Sequence, residues 1–216
     1  MRIPVEEALR YLGAAGAGGE TRRMAEEMSG LLEEKIAPRF LWRVFRAERE
    51  DGGIRLAEGG VLLTGELAER MLRESGEVIL MACTLGAEFE RMLAQWEKRD
   101  MARAAVLDAC GSALVEAGCD AAEEEIRERF YGKYLTNRFS PGYGDLPLAL
   151  QPEILRALDA ERKMGVHANE SRLLFPSKSV TAVIGLAGTP QGAKIRGCLY
   201  CVLKDSCEFR KTGKHC

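Results

Sequence analysis

Apolar positions recur at helical spacing in some stretches of the chain and run together in others. From Ile3 to Leu12 they alternate with charge as on a short amphipathic helix, which gives out at the run Gly13-Ala14-Ala15-Gly16-Ala17-Gly18-Gly19. That run holds no single conformation strongly and is expected to be a flexible loop. Between Thr21 and Ile36, Met24, Met28, Leu31, Leu32 and Ile36 make a helical stripe, stopped by Pro38. Phe40-Leu41-Trp42-Arg43-Val44-Phe45-Arg46 is aromatic and β-branched and predicts a strand. The turn Asp51-Gly52-Gly53 leads it into a second, Ile54-Arg55-Leu56. Thr64 is the expected N-cap of a helix through Arg73, and the continuous apolar run Val78 to Cys83 predicts a buried strand.

Helices are predicted at Ala87–Lys98 and Met101–Phe130. On the second, Val106, Cys110, Ala113, Ala117 and Ala121 form a narrow stripe of small side chains, a pattern suited to close helix packing. Its distal half, Glu123 to Arg129, is charged and expected to be solvated. Beyond Tyr134 the chain reads as Pro- and Gly-punctuated loops, then a helix from Leu150 to Arg162 and a strand from Val180 to Leu186. Helices and strands neither alternate nor segregate, which indicates an α+β fold with a largely antiparallel sheet and flanking helices. No internal repeat is evident. Gly188-Thr189-Pro190-Gln191-Gly192 separates a main domain, residues 1–190, from a Cys-rich tail, residues 191–216.

Charge and cysteine placement narrow the class. The chain has 216 residues with 31 Lys and Arg against 33 Asp and Glu, a net charge of −2. This near balance supplies no general drive toward nucleic acid or an anionic membrane. No apolar run is long enough for a spanning helix, and the first residues lack a signal peptide's apolar stretch, so a cytoplasmic protein is expected. Of the 7 cysteines, Cys83, Cys110 and Cys119 lie in apolar segments and read as core thiols. The other four crowd the tail as Cys198-x2-Cys201-x5-Cys207-x8-Cys216, a donor set for tetrahedral Zn or an Fe–S cluster. The irregular spacing, without two paired Cys-x2-Cys knuckles, leans toward Fe–S. Lys194, Arg196, Lys204, Arg210, Lys211 and Lys214 outnumber Asp205 and Glu208 around them, a positive patch suited to an acidic electron carrier.

The remaining chemistry concentrates at Arg138-Phe139-Ser140-Pro141-Gly142-Tyr143-Gly144-Asp145. The Pro-Gly pair predicts a rigid turn, and Arg138 at its head is a bidentate donor for a carboxylate or phosphate. A plain surface turn with one ion-paired Arg satisfies the same pattern. With only 2 histidines, His167 and His215, the chain shows no Ser-His-Asp or Cys-His arrangement. It also lacks a phosphate-binding Gly-rich motif, so no residue is assigned a catalytic role.

Arg138-x-x-Pro141-Gly142-Tyr143 resembles the signature of the activation domain of cobalamin-dependent methionine synthase. Asn169-Glu170-Ser171, Pro176 and Ser179-Val180 are similar to that family's Thr-Glu-Ser, Pro and Ser-Val-Ser stretch. Leu41-Trp42-Arg43, Leu63-Thr64-Gly65-Glu66-Leu67, Thr84-Leu85-Gly86 and the string Pro141 to Leu148 resemble its stand-alone branch, whose members lack the other methionine synthase domains.

The resemblance implies reactivation of cobalamin-dependent methionine synthase, or of another corrinoid protein, by reductive methylation of cob(II)alamin. S-adenosylmethionine would be held by Arg138, Ser140, Pro141, Gly142, Tyr143 and Glu170. The cobalamin would sit on the partner, and a flavodoxin- or ferredoxin-type carrier would supply the electron. Two departures stand out. Where the fused domain carries a ligand-binding aromatic pair, this chain has Val183-Ile184-Gly185, and an acidic residue before the signature Arg is replaced near Gly132. They leave room for a second reading, a non-catalytic module that caps a corrinoid protein and uses its four tail cysteines for structure or redox.

Overall fold

The computed structural model describes residues 1–192. The four tail cysteines and their basic neighbours from Lys194 onward lie outside the described residues. The chain forms two compact units. The first comprises Met1–Leu41, Ala82–Ile126 and Leu158–Val180; the second comprises Trp42–Met81, Arg127–Ala157 and Thr181–Cys216, described to residue 192.

The first unit is helical. It contains α1 (Val5–Tyr11), α2 (Gly19–Lys35), α4 (Gly86–Glu97), nearly all of α5 (Met101–Arg129), α7 (Ala160–Met164) and a hairpin of β6 (His167–Ala168) and β7 (Leu174–Phe175). Helix α5 is its axis, and close approach is what its sequence encodes. A Cβ at Gly111 would come within 2.4 Å of the Phe89 ring of α4, and one at Gly118 within 2.6 Å of Pro38 and 2.8 Å of the Cys83 sulfur. Ser29 of α2 lies 3.4 Å from the Cys110 sulfur, which also points at the Ala25 carbonyl, 3.7 Å away. The expected small-residue stripe is therefore shifted. Cys110 and Ala113 are buried, Ala117 and Ala121 are only partly so, and the tightest contacts fall at the two glycines. Glu123 departs from the expected solvated half: only 6% of it is exposed, with Ala122 and Ile126 buried beside it. Cys83, Cys110 and Cys119 are free and buried, as core thiols should be, and burial pushes the Cys110 thiol above its ordinary range.

The second unit is built on a six-stranded, largely antiparallel sheet in the order β3-β2-β1-β4-β8-β5. Its strands are β1 (Arg39–Glu50), β2 (Gly53–Leu56), β3 (Val61–Leu63), β4 (Glu77–Thr84), β5 (Tyr134–Leu135) and β8 (Ser179–Ala187). The end residues of β1, β4 and β8 fall in the first unit. The turn at Asp51-Gly52 sets the β1/β2 register, pairing Glu50 with Gly53 and Ala47 with Leu56. Strands β4 and β8 are interior, each flanked on both sides, which explains their uninterrupted apolar sequences: Val78 to Cys83 and Ala182 to Ile184 are all fully buried.

Short helices α3 (Glu66–Met71) and α6 (Gln151–Leu158), the latter led by a 3-10 turn at Leu148–Leu150, complete the sequence of elements. The single helix expected from Leu150 to Arg162 is broken. Asp159 adopts a left-handed φ of +56° and ends α6 before α7 begins, a conformation that Asp tolerates better than most residues. Among the described residues no helix is long and apolar enough to cross a membrane.

Glycine packing makes a paired prediction. Gly30 of α2 is exposed with open space at its Cβ position, so Gly30→Ala should stabilise the protein by up to ~1 kcal/mol through helix propensity. Gly111→Ala gains the same propensity but drives a methyl into Phe89, and should destabilise by about 1–3 kcal/mol. Denaturant unfolding of the two variants should show opposite shifts in midpoint.

Candidate functional site

The residues around Arg138 are held by the edge of the sheet. Past β5, Thr136 donates its N–H to the Gly185 carbonyl at 3.0 Å, and its hydroxyl accepts the Gly185 N–H at 2.8 Å. Phe139 and Val183 then exchange both backbone bonds, at 3.1 and 2.8 Å. The stretch expected to be loop from Tyr134 onward is thus stitched to β8, with Arg138 between two anchor points. A Cβ on Gly185 would lie 2.2 Å from the Ser75 hydroxyl, so this part of β8 is closely covered. Arg138 is only 9% exposed.

After Phe139 the chain leaves the sheet through a tight turn. Tyr143 donates its N–H to the Ser140 carbonyl at 3.0 Å, with Pro141 and Gly142 in the middle and Gly142 at φ +93°. Proline second and a positive-φ glycine third is the pattern of a type II turn. The Gly142 N–H goes to the Leu146 carbonyl at 2.8 Å, and the Leu146 N–H to the Tyr143 carbonyl at 3.0 Å. The N–H groups of Gly142 and Tyr143 are therefore both used inside the loop. What the turn presents outward is the Tyr143 side chain, 53% exposed, with Leu148 exposed and 3.5 Å from the Gly142 Cβ position.

Asp145 locks this loop to α3. Its two carboxylate oxygens accept the N–H groups of Glu66, at 2.6 Å, and Leu67, at 3.0 Å. These are two of the donors that the first turn of a helix leaves without intrahelical partners. Thr64, the expected cap, is not the cap: Gly65 occupies that position at φ +101°, with no side-chain bond of its own. Gly65 is also a steric requirement, since a Cβ there would lie 2.9 Å from the Asp145 carboxyl carbon and carbonyl oxygen. Gly144 passes Leu67 with its Cβ position 3.3 Å from the Leu67 side chain. The hydrogen bonds from Leu67 and then Glu66 hold the Asp145 carboxyl below its ordinary value of 3.8. Local sequence does not mark Asp145 as the cap of α3, because its partners lie 78 and 79 residues away.

Glu170, the other expected ligand residue, belongs to the first unit, at the exposed tip of the β6/β7 hairpin. Asn169 shapes that tip: its carbonyl accepts the Arg172 N–H and its side-chain oxygen the Leu173 N–H. In the same unit Thr84 shares a hydrogen bond of 2.8 Å with Ser179 and accepts the Gly86 N–H at 3.0 Å, joining the Thr84-Leu85-Gly86 and Ser179-Val180 strings. Val183 and Ile184 are fully buried and present nothing to a ligand. No group of three or more metal-ligating side chains occurs among the described residues.

No sequence profile of a known protein family matches the chain, and no curated protein matches it. Among solved structures it is similar to the "MetH Reactivation Domain bound to AdoHcy", with a TM-score of 0.64 at 19% identity. That match covers 95% of this chain and 77% of the other, and it places the chain in the same fold.

The Asp145 geometry predicts an acid-sensitive loop. A carboxyl depressed in the folded state stabilises it above the unfolded-state value and loses that contribution as pH falls through the folded-state value. The wild type should lose thermal stability on acidification through that window, with the Asp145 carboxyl resonance titrating below 3.8. Asp145→Ala should melt lower at neutral pH and show a smaller further loss on acidification.

Proposed function

We propose that this chain binds S-adenosylmethionine at the Arg138–Tyr143 segment and serves the reductive reactivation of cobalamin in methionine synthase or a related corrinoid protein. The observation that supports this most is a coincidence of two independent features. The fold agrees over 95% of the chain with a reactivation domain solved with AdoHcy. The Arg-x-x-Pro-Gly-Tyr segment, meanwhile, is built as a rigid, anchored turn rather than a loose surface loop.

The residues fit the amino-acid half of such a ligand. Arg138 is a buried residue on a segment bonded to β8 on both sides, and its guanidinium would be the bidentate partner for a carboxylate. Tyr143 offers an exposed ring beside it in sequence, for a planar group or the corrin face of a partner. Ser140, Pro141 and Gly142 set the turn that aims this ring. When bound, S-adenosylmethionine supplies the methyl group that traps reduced cobalt. The chain's own part is to bind it, hold its carboxylate and keep its position fixed against the partner. An acidic electron carrier and the basic tail complete the reading, as does an Fe–S or Zn site at Cys198, Cys201, Cys207 and Cys216.

The burial of Val183 and Ile184, where the related family carries an aromatic pair, favours a second reading: a capping module for a corrinoid protein without adenosylmethionine binding. Titration calorimetry separates the two. In the first reading S-adenosylmethionine and S-adenosylhomocysteine bind saturably. Arg138→Lys, which keeps the charge but loses the bidentate fork, weakens both by roughly ten- to a hundredfold, the scale of a hydrogen bond to a charged group. Absence of binding by the folded wild type at millimolar ligand leaves the capping reading.

For the tail, anaerobically purified protein should carry iron with sulfide, or zinc. A simultaneous Cys198→Ser and Cys201→Ser change should abolish that metal while leaving the melting of the described units unchanged.

A further inference from the structure

A groove in the first unit has the composition of a ligand site and lies outside the Arg138 region. It has two lobes. The first, of about 280 Å³, opens between the end of α2 and the start of α4 and is flanked by Lys35, Arg39 and Arg91. The second, of about 200 Å³, continues between the two helices and is walled by Leu31, Met92 and Trp96, with Arg99 at its rim. Lys35 and Glu88 line both lobes, so the two are continuous.

Charge is the first argument. The chain as a whole carries −2, yet four cations, Lys35, Arg39, Arg91 and Arg99, meet a single carboxylate here, that of Glu88. Glu88 is paired with Arg91. Arg39 donates one N–H to the Met164 carbonyl at 2.7 Å and keeps its other donors. Lys35 and Arg99 have no carboxylate partner among the described residues. Other cations of this unit sit beside carboxylates, as Arg103 does with Glu27 and Asp100, and Lys178 with Asp108. Clustered unmatched cations repel one another, and folding gives no return for that cost.

Shape and polarity are the second. The cation-rich lobe passes into one where Leu31, Met92 and the Trp96 ring stand among Lys35, Glu88, Gln95 and Arg99, with Arg103 5.8 Å from the ring centroid. A ligand would therefore need an anionic end and a flat end that stacks, within one small molecule. The anionic end would also meet the first turn of the 12-residue helix α4, whose dipole adds to the same field. S-adenosylmethionine, with its cationic sulfonium, has the wrong charge for this groove.

We infer that the groove binds a nucleoside phosphate, with the phosphates on Lys35, Arg39 and Arg91 and the base against Trp96. The inference stands independently of the adenosylmethionine reading, which concerns other residues. It is tested on the full-length protein by calorimetry and tryptophan fluorescence with ADP, adenosine and inorganic pyrophosphate as probes. ADP should bind saturably below roughly 1 mM, pyrophosphate should bind more weakly, and adenosine should not bind. Raising salt from about 0.05 to 0.5 M should weaken ADP binding markedly through screening. Lys35→Gln and Arg91→Gln, both at exposed positions, should each weaken ADP by about tenfold, and Trp96→Leu should bring ADP down to the level of pyrophosphate. No saturable ADP binding by folded protein would overturn the inference. So would ADP binding indifferent to the Lys35 and Arg91 changes, or pyrophosphate binding as tightly as ADP in the wild type.

Discussion

Helix α3 starts with backbone N–H groups that nothing within the helix can satisfy, and the carboxylate of Asp145 takes two of them. That one contact closes a loop of nearly eighty residues and decides where the Pro141–Tyr143 turn stands. Three further features serve it. Gly65 has no side chain because Asp145 fills the space, Gly144 passes close over Leu67, and Leu146 ties back to Gly142 and Tyr143. The turn cannot drift without uncapping α3, and α3 cannot fray without releasing the turn. On its other side the same segment is bonded to β8 through Thr136 and Phe139. A short, exposed aromatic side chain is thereby mounted on a base anchored at both ends, which is how a small site gains orientation without a deep pocket.

The helical unit solves its packing by subtraction. Gly111 and Gly118 lie seven residues apart on α5, two helical turns, and so on one face; each accepts a bulky neighbour at a distance no Cβ would allow. Phe89 fills the first position, Pro38 and Cys83 the second. The arrangement removes side-chain bulk where α4 and the α2–β1 connection come closest, and the Cys110 contact with Ser29 and Ala25 adds a polar seam to α2. The groove between α2 and α4 lies beside this packing, and its charges come from the end of α2 (Lys35), the start of β1 (Arg39), α4 (Glu88, Arg91) and the residue after its C-cap (Arg99).

Periodicity made the long elements legible. The stripe of α2, the length of α4 and α5 and the apolar runs of β4 and β8 are set by burial against a neighbour, and burial leaves a regular trace in sequence. Elements governed by one distant contact left no such trace. Nothing local distinguishes Thr64 from a cap, because the true cap comes from Asp145. Nothing local marks Asp159 as the break between α6 and α7, since Asp is at home in a helix and in the left-handed region alike. Glu123 looks solvated by type and is buried by position. For the candidate site, the turn around Gly142 was readable from Pro-Gly chemistry, whereas its attachment to the sheet and to α3 belongs to tertiary structure alone.

The contrast between the two candidate sites follows from how each is made. At Arg138 the residue is nearly withdrawn from solvent and its chain is bonded to β8 on either side, so the proposed site would discriminate by geometry: a planar carboxylate would meet the guanidinium well and a diffuse polyanion would not. In the α2/α4 groove, several cations on long, exposed side chains face one space, and the field there depends on their number rather than on the position of any one. A site of the first kind is sensitive to exchange of Arg for Lys and little affected by salt. A site of the second kind tolerates that exchange and weakens as salt rises, because screening acts on exposed charges and spares buried ones. The same two perturbations therefore sort any anion this protein binds between its two units.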